Sequence, residues 1–174
     1  MGQVQINNLY NANVYAAGNS FLGKAEEVTL PAIKAKVRDV KALGLITDTE
    51  LISGMEKMTG KIKWNSIYPE VLQQLGSPFV TQQIQMRSSL ETWDSSGRTA
   101  ELPVVAYMDV RFKDSLSAIT IKQNDNPDQE SEFSCTYMRL EVDGNTVMEF
   151  DAMNNVYFIA EEDQLVNWRN NLGQ

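Results

Sequence analysis

The stretch that decides the fold is Ser134 to Asp151, SCTYMRLEVDGNTVMEFD. Its two arms share an apolar row made of Met138, Leu140 and Val142 on the first arm and Met148 and Phe150 on the second. The opposite face of the first arm carries Cys135, Tyr137, Arg139 and Glu141. This period of two is typical of a half-buried strand. Asp143 and Gly144 between the arms tolerate the positive φ of a tight turn, so the stretch predicts a β-hairpin with its apolar row in the core.

Residue patterns typical of extended backbone occur along most of the remaining chain. They predict strands or arms at 4–15, 21–30, 33–38, 55–64, 79–90, 102–112, 116–122 and 156–159. The clearest of them, 102–112, places Leu102, Val104, Ala106, Met108, Val110 and Phe112 in one row. Two polar segments, 93–99 and 123–132, predict loops because they are rich in Asp, Ser, Asn, Gly or Glu.

Two short helices complete the prediction. The first spans 66–75, with Ser66 as a candidate N-cap and with Gly76 and Pro78 ending it. The second spans 161–171, begins with acidic residues that suit its dipole, and stops at Gly173. The predicted fold class is therefore mainly β, an antiparallel β-sandwich or barrel of roughly seven or eight strands with one flanking α-helix and a short C-terminal helix. We expect a single domain over 1–174.

The composition excludes several classes of function. The 174 residues contain no His, which removes the commonest general base and transition-metal ligand, and no nucleotide, paired-cysteine or nucleophile-elbow motif occurs. We therefore expect no catalytic residues, no cofactor and no metal. Cys135 is the single cysteine and predicts a buried strand residue rather than a disulfide. No apolar run approaches the roughly 20 residues of a transmembrane helix, and the N-terminus lacks a signal pattern, so no membrane anchoring is expected.

The net charge of −8 is unevenly distributed. Residues 1–98 contain ten Lys and Arg against nine Asp and Glu, whereas residues 99–174 contain five against fourteen. Such an acidic surface repels phosphates and argues against ordinary DNA or RNA binding.

Three sets of residues are candidates for contacts between subunits. Two are basic stripes on alternating segments: Lys34, Lys36 and Arg38, and then Lys57, Lys61 and Lys63. If the two strands were neighbours, their like charges would repel, and the acidic half of another copy could relieve this. The third set lies in 40–53, which is either a short helix or an extended interaction loop. Its candidates are Leu43, Leu45, Ile46 and Leu51, which would need a partner if exposed.

The chain resembles the major tail tube proteins of contractile-tailed bacteriophages and R-type pyocins. The resemblance rests on SCTYMRLEVDG at 134–144, EFD at 149–151, DQL at 163–165 and RNNLG at 169–173. Upstream, VTLP at 28–31, followed by Lys34, is similar to the family's entry into its long strand pair. In place of the family's glycine-rich loop, the chain has Ala42-Leu43-Gly44-Leu45.

The resemblance implies a β-sandwich subunit of a hexameric ring. Such rings stack into the rigid inner tube of a contractile tail, which pierces the target envelope and, in a phage, conducts DNA without binding it specifically. It also implies stacked copies, a tail sheath protein and terminator or baseplate proteins as partners, and a place in the virion tail after assembly in the host cytoplasm. The alternatives are a DNA-free pyocin or related injection system, a monomeric acidic β-sandwich binding module and, more distantly, a carboxylate-based glycosidase.

Overall fold

A computed structural model describes residues 4–174 of the chain. Its strands are β1 Ile6–Ala16, β2 Asn19–Ser20, β3 Ala25–Thr29, β4 Ala35–Val40, β5 Thr49–Met55, β6 Met58–Trp64, β7 Gln82–Asp94, β8 Gly97–Phe112, β9 Ile119–Thr120, β10 Asp128–Val142, β11 Asn145–Asp151, β12 Val156–Ile159 and β13 Glu162–Asp163. Its helices are α1 Pro69–Leu75 and α2 Val166–Asn171. All strand pairs are antiparallel, which confirms the mainly β fold class with two short helices.

Strand β10 links the two layers of the sandwich. Its first half pairs with β6, which also pairs with β3, whereas its second half pairs with β11. On its other side β10 pairs with β8, and the order continues through β7 and β1 to β2. Strands β4 and β5 form a separate two-stranded sheet.

The core is filled from both layers. Ile62 and Trp64 of β6 pack in the same buried cluster as Ile84 of β7 and Met108 of β8. The buried row of 102–112 runs from Val104 to Phe112, as its alternation predicts. Val71 and Leu75 of α1 join this cluster, so the helix seals the core through its apolar face.

The hairpin around Asp143 and Gly144 is confirmed. Both residues have positive φ, 52° and 75°, as a two-residue turn of this kind requires. Met138 lies opposite Phe150 and Leu140 opposite Met148, so the apolar residues of the two arms meet in pairs.

The predicted face of Cys135 is wrong. A register shift between Cys135 and Tyr137 on the β8 side inserts one extra residue, Thr136, and such a bulge reverses the alternation. Cys135 therefore belongs to the core cluster together with Met138, while Tyr137 points to the other face. The prediction that this cysteine is buried in a strand is confirmed.

Several predicted boundaries are wrong. The turn within 93–99 is confined to residues 95–96, since β7 and β8 continue on either side. Only Ile119–Thr120 of the predicted strand 116–122 is paired. The second half of the predicted loop 123–132 is strand, because Glu130 and Glu132 lie opposite lysines of the adjacent β6 and form ion pairs with Lys61 and Lys113.

Both helices begin later than predicted. Tyr68, not Ser66, precedes α1 in an extended conformation, because a residue before proline is disfavoured in helical geometry. Residues Ala160 and Glu161 have positive φ and turn the chain between β12 and β13, so the acidic segment precedes α2 instead of opening it. No helix within 4–174 is long and apolar enough to cross a membrane.

Candidate assembly surfaces

Strands β4 and β5, with the connecting residues 41–48, form a projecting hairpin that is called the arm below. The two strands are hydrogen-bonded to each other and, among residues 4–174, to no other strand. Its side-chain interactions are internal as well, such as the Lys41 to Asp48 ion pair at 3.4 Å and the Ser53 hydroxyl donating to the Lys36 carbonyl. The helix alternative for 40–53 is therefore wrong, and the segment is extended.

The apolar candidates of 40–53 are exposed on this arm. Leu43 and Ile46 are fully exposed at the tip, while Leu45 and Leu51 are about half exposed. Isolated exposed apolar residues are ordinary, but a cluster of them on a projecting hairpin marks a surface for interaction.

The strand register gives the arm two different faces. Arg38 lies opposite Leu51 on the face that also carries Lys36, whereas Asp39 lies directly opposite Glu50 on the other. Neither Asp39 nor Glu50 forms an ion pair within the described residues, and two like charges opposite each other destabilise a strand pair. Lys34, the remaining member of the first basic stripe, is exposed just before β4.

The two basic stripes are not neighbours. The first is on the arm, while Lys61 and Lys63 lie on β6 within the large sheet. Lys61 Nζ lies 2.8 Å from Glu130 Oε1, and Lys63 Nζ lies 3.1 Å from Glu26 Oε1. These partners within the chain already neutralise much of the second stripe, and the pKa of Lys61 is raised by its hydrogen bond to Glu130. Lys57 is exposed just before β6.

Two strands of the large sheet have long unpaired edges. Within the described residues, β1 pairs with β7 along one side, but on the other side β2 covers only Tyr15 and Ala16. Among residues 4–174, strand β3 pairs with β6 and with no second strand. The exposed N-terminal half of β1 includes Ile6 and Leu9. Unpaired edges of this length are templates for pairing with another chain. The sequence pattern did not reveal them, since edge positions depend on which distant strands pair.

The large sheet has a polar face opposite the core. Its charged groups include the carboxylates of Asp109, Glu141, Glu149 and Asp151 and the guanidinium groups of Arg87, Arg111 and Arg139. Arg139 stacks over the ring of Tyr107, 4.7 Å from its centroid, and its Nε lies 3.0 Å from Glu141 Oε1. Tyr137, Arg139 and Glu141 thus share this face, as the alternation predicts.

Hydrogen bonding and burial shift the pKa values of two groups on this face, Tyr137 and Asp109. The Tyr137 hydroxyl donates to Glu149 Oε1 at 2.9 Å, and burial together with this bond raises the Tyr137 pKa to about 12. Burial, followed by the charge of Asp151, raises the pKa of Asp109. Cys135, on the core side, has its thiol pKa raised by burial to about 12, so it is a poor nucleophile.

A buried carboxylate fixes the end of the β7–β8 hairpin. Glu91 is buried and accepts hydrogen bonds from Arg98 Nη1 at 2.7 Å and Trp93 Nε1 at 2.8 Å. The bond from Arg98, followed by that from Trp93, lowers the pKa of Glu91. The hydrogen bonds of this cluster hold the hairpin together. Within 4–174, no group of three His, Cys, Asp or Glu is suited to binding a metal.

The structure combines a projecting arm, unpaired strand edges and a polar sheet face. This combination is typical of a structural β-protein that associates with other chains. The chain belongs to the phage tail tube protein FII family, whose model matches residues 6–173. It is 27% identical to the tail tube protein of Escherichia phage P2 over 167 residues, covering 92% of this chain and 94% of that protein.

Membership of this family confirms the resemblance to tail tube proteins. The chain is a structural component of a phage tail and is located in the virion tail. The family is not one of enzymes, which confirms the expectation of a role without catalysis.

Proposed function

We propose that copies of this chain form hexameric rings that stack into the rigid inner tube of a contractile tail. The tube would conduct DNA and serve as the shaft that penetrates the target envelope. Besides family membership, the observation that carries this proposal is the exposed arm, whose apolar tip has no partner among residues 4–174. As a monomer, the chain would leave this surface in water, which costs free energy that burial between copies recovers.

Ring closure would use the unpaired strand edges. The free edge of β1 offers backbone donors and acceptors along 6–13, and pairing with a neighbour in the ring would satisfy them. Association of this kind repeats the same contact around a closed ring, as cyclic symmetry requires.

The arm would connect one ring to the next. Its β4 strand contains six residues, which corresponds to a reach of roughly 20 Å before the tip. The interface residues that we propose there are Lys34, Lys36, Arg38, Leu43, Leu45, Ile46 and Leu51. Lys57, Lys61 and Lys63 are proposed as a second contact, in which acidic groups of another copy would add to the partners that β6 already has.

The polar face of the large sheet would line the lumen. Its carboxylates, among them Asp109, Glu149 and Asp151, would repel the phosphates of passing DNA in a ring of such copies. This repulsion would permit DNA to slide without specific binding. The opposite side of the tube would contact a sheath protein, and the tube ends would contact terminator and baseplate proteins. The domain would be single, with the arm projecting from it.

Negative-stain microscopy and sedimentation velocity of the purified protein test this proposal. We expect rings or tubes of uniform diameter in equilibrium with smaller species. A monomer at every concentration would instead support the alternative, a monomeric acidic binding module. A sheath gene beside the coding sequence would support a contractile tail, and capsid genes beside it would separate a phage from a pyocin.

A further inference from the structure

A groove lies at the open side of the sandwich, between β1 and β3. It has a volume of about 320 Å³ and is lined mainly by apolar side chains, among them Leu9, Val14, Val28, Leu30 and Met86. Val14 and Met86 form a buried floor, whereas Leu9 on the wall is about half exposed. The groove is therefore an open extension of the hydrophobic core.

The rim of this groove is acidic, and one of its walls is strand β3, which has a free edge within the described residues. Glu26 and Glu27 of β3 line it, and Glu27 has no ion pair within the described residues. Among the described residues β3 is paired only with β6, so its edge beside the groove is free, whereas the free edge of β1 is the one that ring closure would use. A segment entering here would find apolar contacts, negative charge and free backbone hydrogen-bonding groups.

The arm has the complementary features. Leu43, Leu45 and Ile46 supply an exposed apolar tip, and Lys36 and Arg38 supply positive charge on one face of β4. Both strands of the arm also have free outer edges, since each is paired only with the other. Apolar, electrostatic and backbone complementarity therefore coincide in the same two surfaces.

We infer that the groove between β1 and β3 is the receptor for the arm of a neighbouring copy. The tip would pack on Leu9, Val28 and Leu30, while Arg38 would approach Glu27. This inference rests on the proposed function and identifies the surface on which one ring would hold the next. The arm of the same chain is hydrogen-bonded within itself and leaves its own groove open.

Cysteine cross-linking of mixed assemblies tests the inference. Leu45→Cys on the arm and Leu9→Cys in the groove are made as separate variants with different mass tags, and both replace exposed side chains. Tubes grown from their mixture and oxidised should yield a disulfide-linked heterodimer, which only an intermolecular contact can produce. The matched control replaces Leu9→Cys with Met153→Cys, an exposed position between β11 and β12, and heterodimer should be lost.

The outcomes separate this inference from the proposed function. If wild-type tubes form but the heterodimer is no more abundant than in the Met153→Cys control, the groove is not the receptor. The proposed function as a tube protein is then unaffected. If the wild-type chain forms neither rings nor tubes, the proposed function and this inference both fail.

A charge exchange tests the predicted pairing independently. Glu27→Lys and Arg38→Glu should each cause loss of tubes at low salt, and the two together should restore them. Both residues are exposed, but Glu27 lies directly opposite Lys63 across β3 and β6, so urea unfolding of each unassembled variant must first show that the monomer is still folded. Failure of the double variant to regain tubes would overturn the pairing of Arg38 with Glu27.

Discussion

Replacing Leu43, Leu45 and Ile46 together with Ser is predicted to prevent tube assembly without weakening the isolated fold. Leu43 and Ile46 are fully exposed, so their replacement removes no burial from the monomer. We expect its free energy of unfolding to change by no more than about 0.5 kcal/mol. In the tube, burial of such side chains contributes about 1.5–3 kcal/mol each, hence roughly 3–6 kcal/mol per arm for these two residues.

A loss of that size is readily measurable. A change of about 3 kcal/mol raises a dissociation constant by more than about 100-fold. Sedimentation velocity and negative-stain microscopy would report assembly, and urea denaturation of the unassembled protein would report stability. The control replaces the same three residues with Met, which preserves an apolar tip and should preserve tubes. Tubes of normal length from the Ser variant would refute the reasoning, as would a large loss of monomer stability.

Three further predictions concern other parts of the chain. Lys34→Glu with Lys36→Glu should impair assembly in low salt, where charge contacts are least screened, and normal tubes from this variant would contradict the role of the stripe. Gly60→Ala should cost about 1–3 kcal/mol in urea unfolding, because the added Cβ would lie 2.6 Å from the backbone oxygen of Thr29 and 2.7 Å from Cε2 of Phe133, and an unchanged midpoint would show that both the ring and β3 can move. Asp109→Asn should raise the thermal midpoint at neutral pH, because burial raises the pKa of this carboxyl and the fold disfavours its charged form. That gain should shrink as the pH falls through the raised pKa of Asp109 and should be gone below the ordinary value of 3.8, and a gain independent of pH would contradict it.

Local alternation predicted the centre of the fold well. The row from Val104 to Phe112 and the turn at Asp143 and Gly144 depend only on residues close together in the sequence, and the structure has both. The errors arise where distant strands decide the outcome. Cys135 changes face because of a bulge against β8. The second half of the acidic 123–132 becomes strand because Lys61 of β6 and Lys113, just after β8, offset its charge.

The candidate surfaces were predictable to a lesser degree. The apolar residues of 40–53 could be recognised as an interaction segment, but its hairpin geometry depends on the pairing of Val37 with Ile52 across the arm. The groove beside β3 was invisible in the sequence, since its walls come from three segments far apart in the chain. The basic stripes were visible, but the ion pairs of Lys61 and Lys63 with Glu130 and Glu26 appear only after the strands are placed.

Electron cryomicroscopy of the assembled protein tests the central claim most directly. The account predicts stacked rings with six-fold symmetry, in which Tyr137 and Arg139 face the lumen and each arm contacts the next ring. Rings of another symmetry, or a lumen lined by the opposite side of the sandwich, would contradict it.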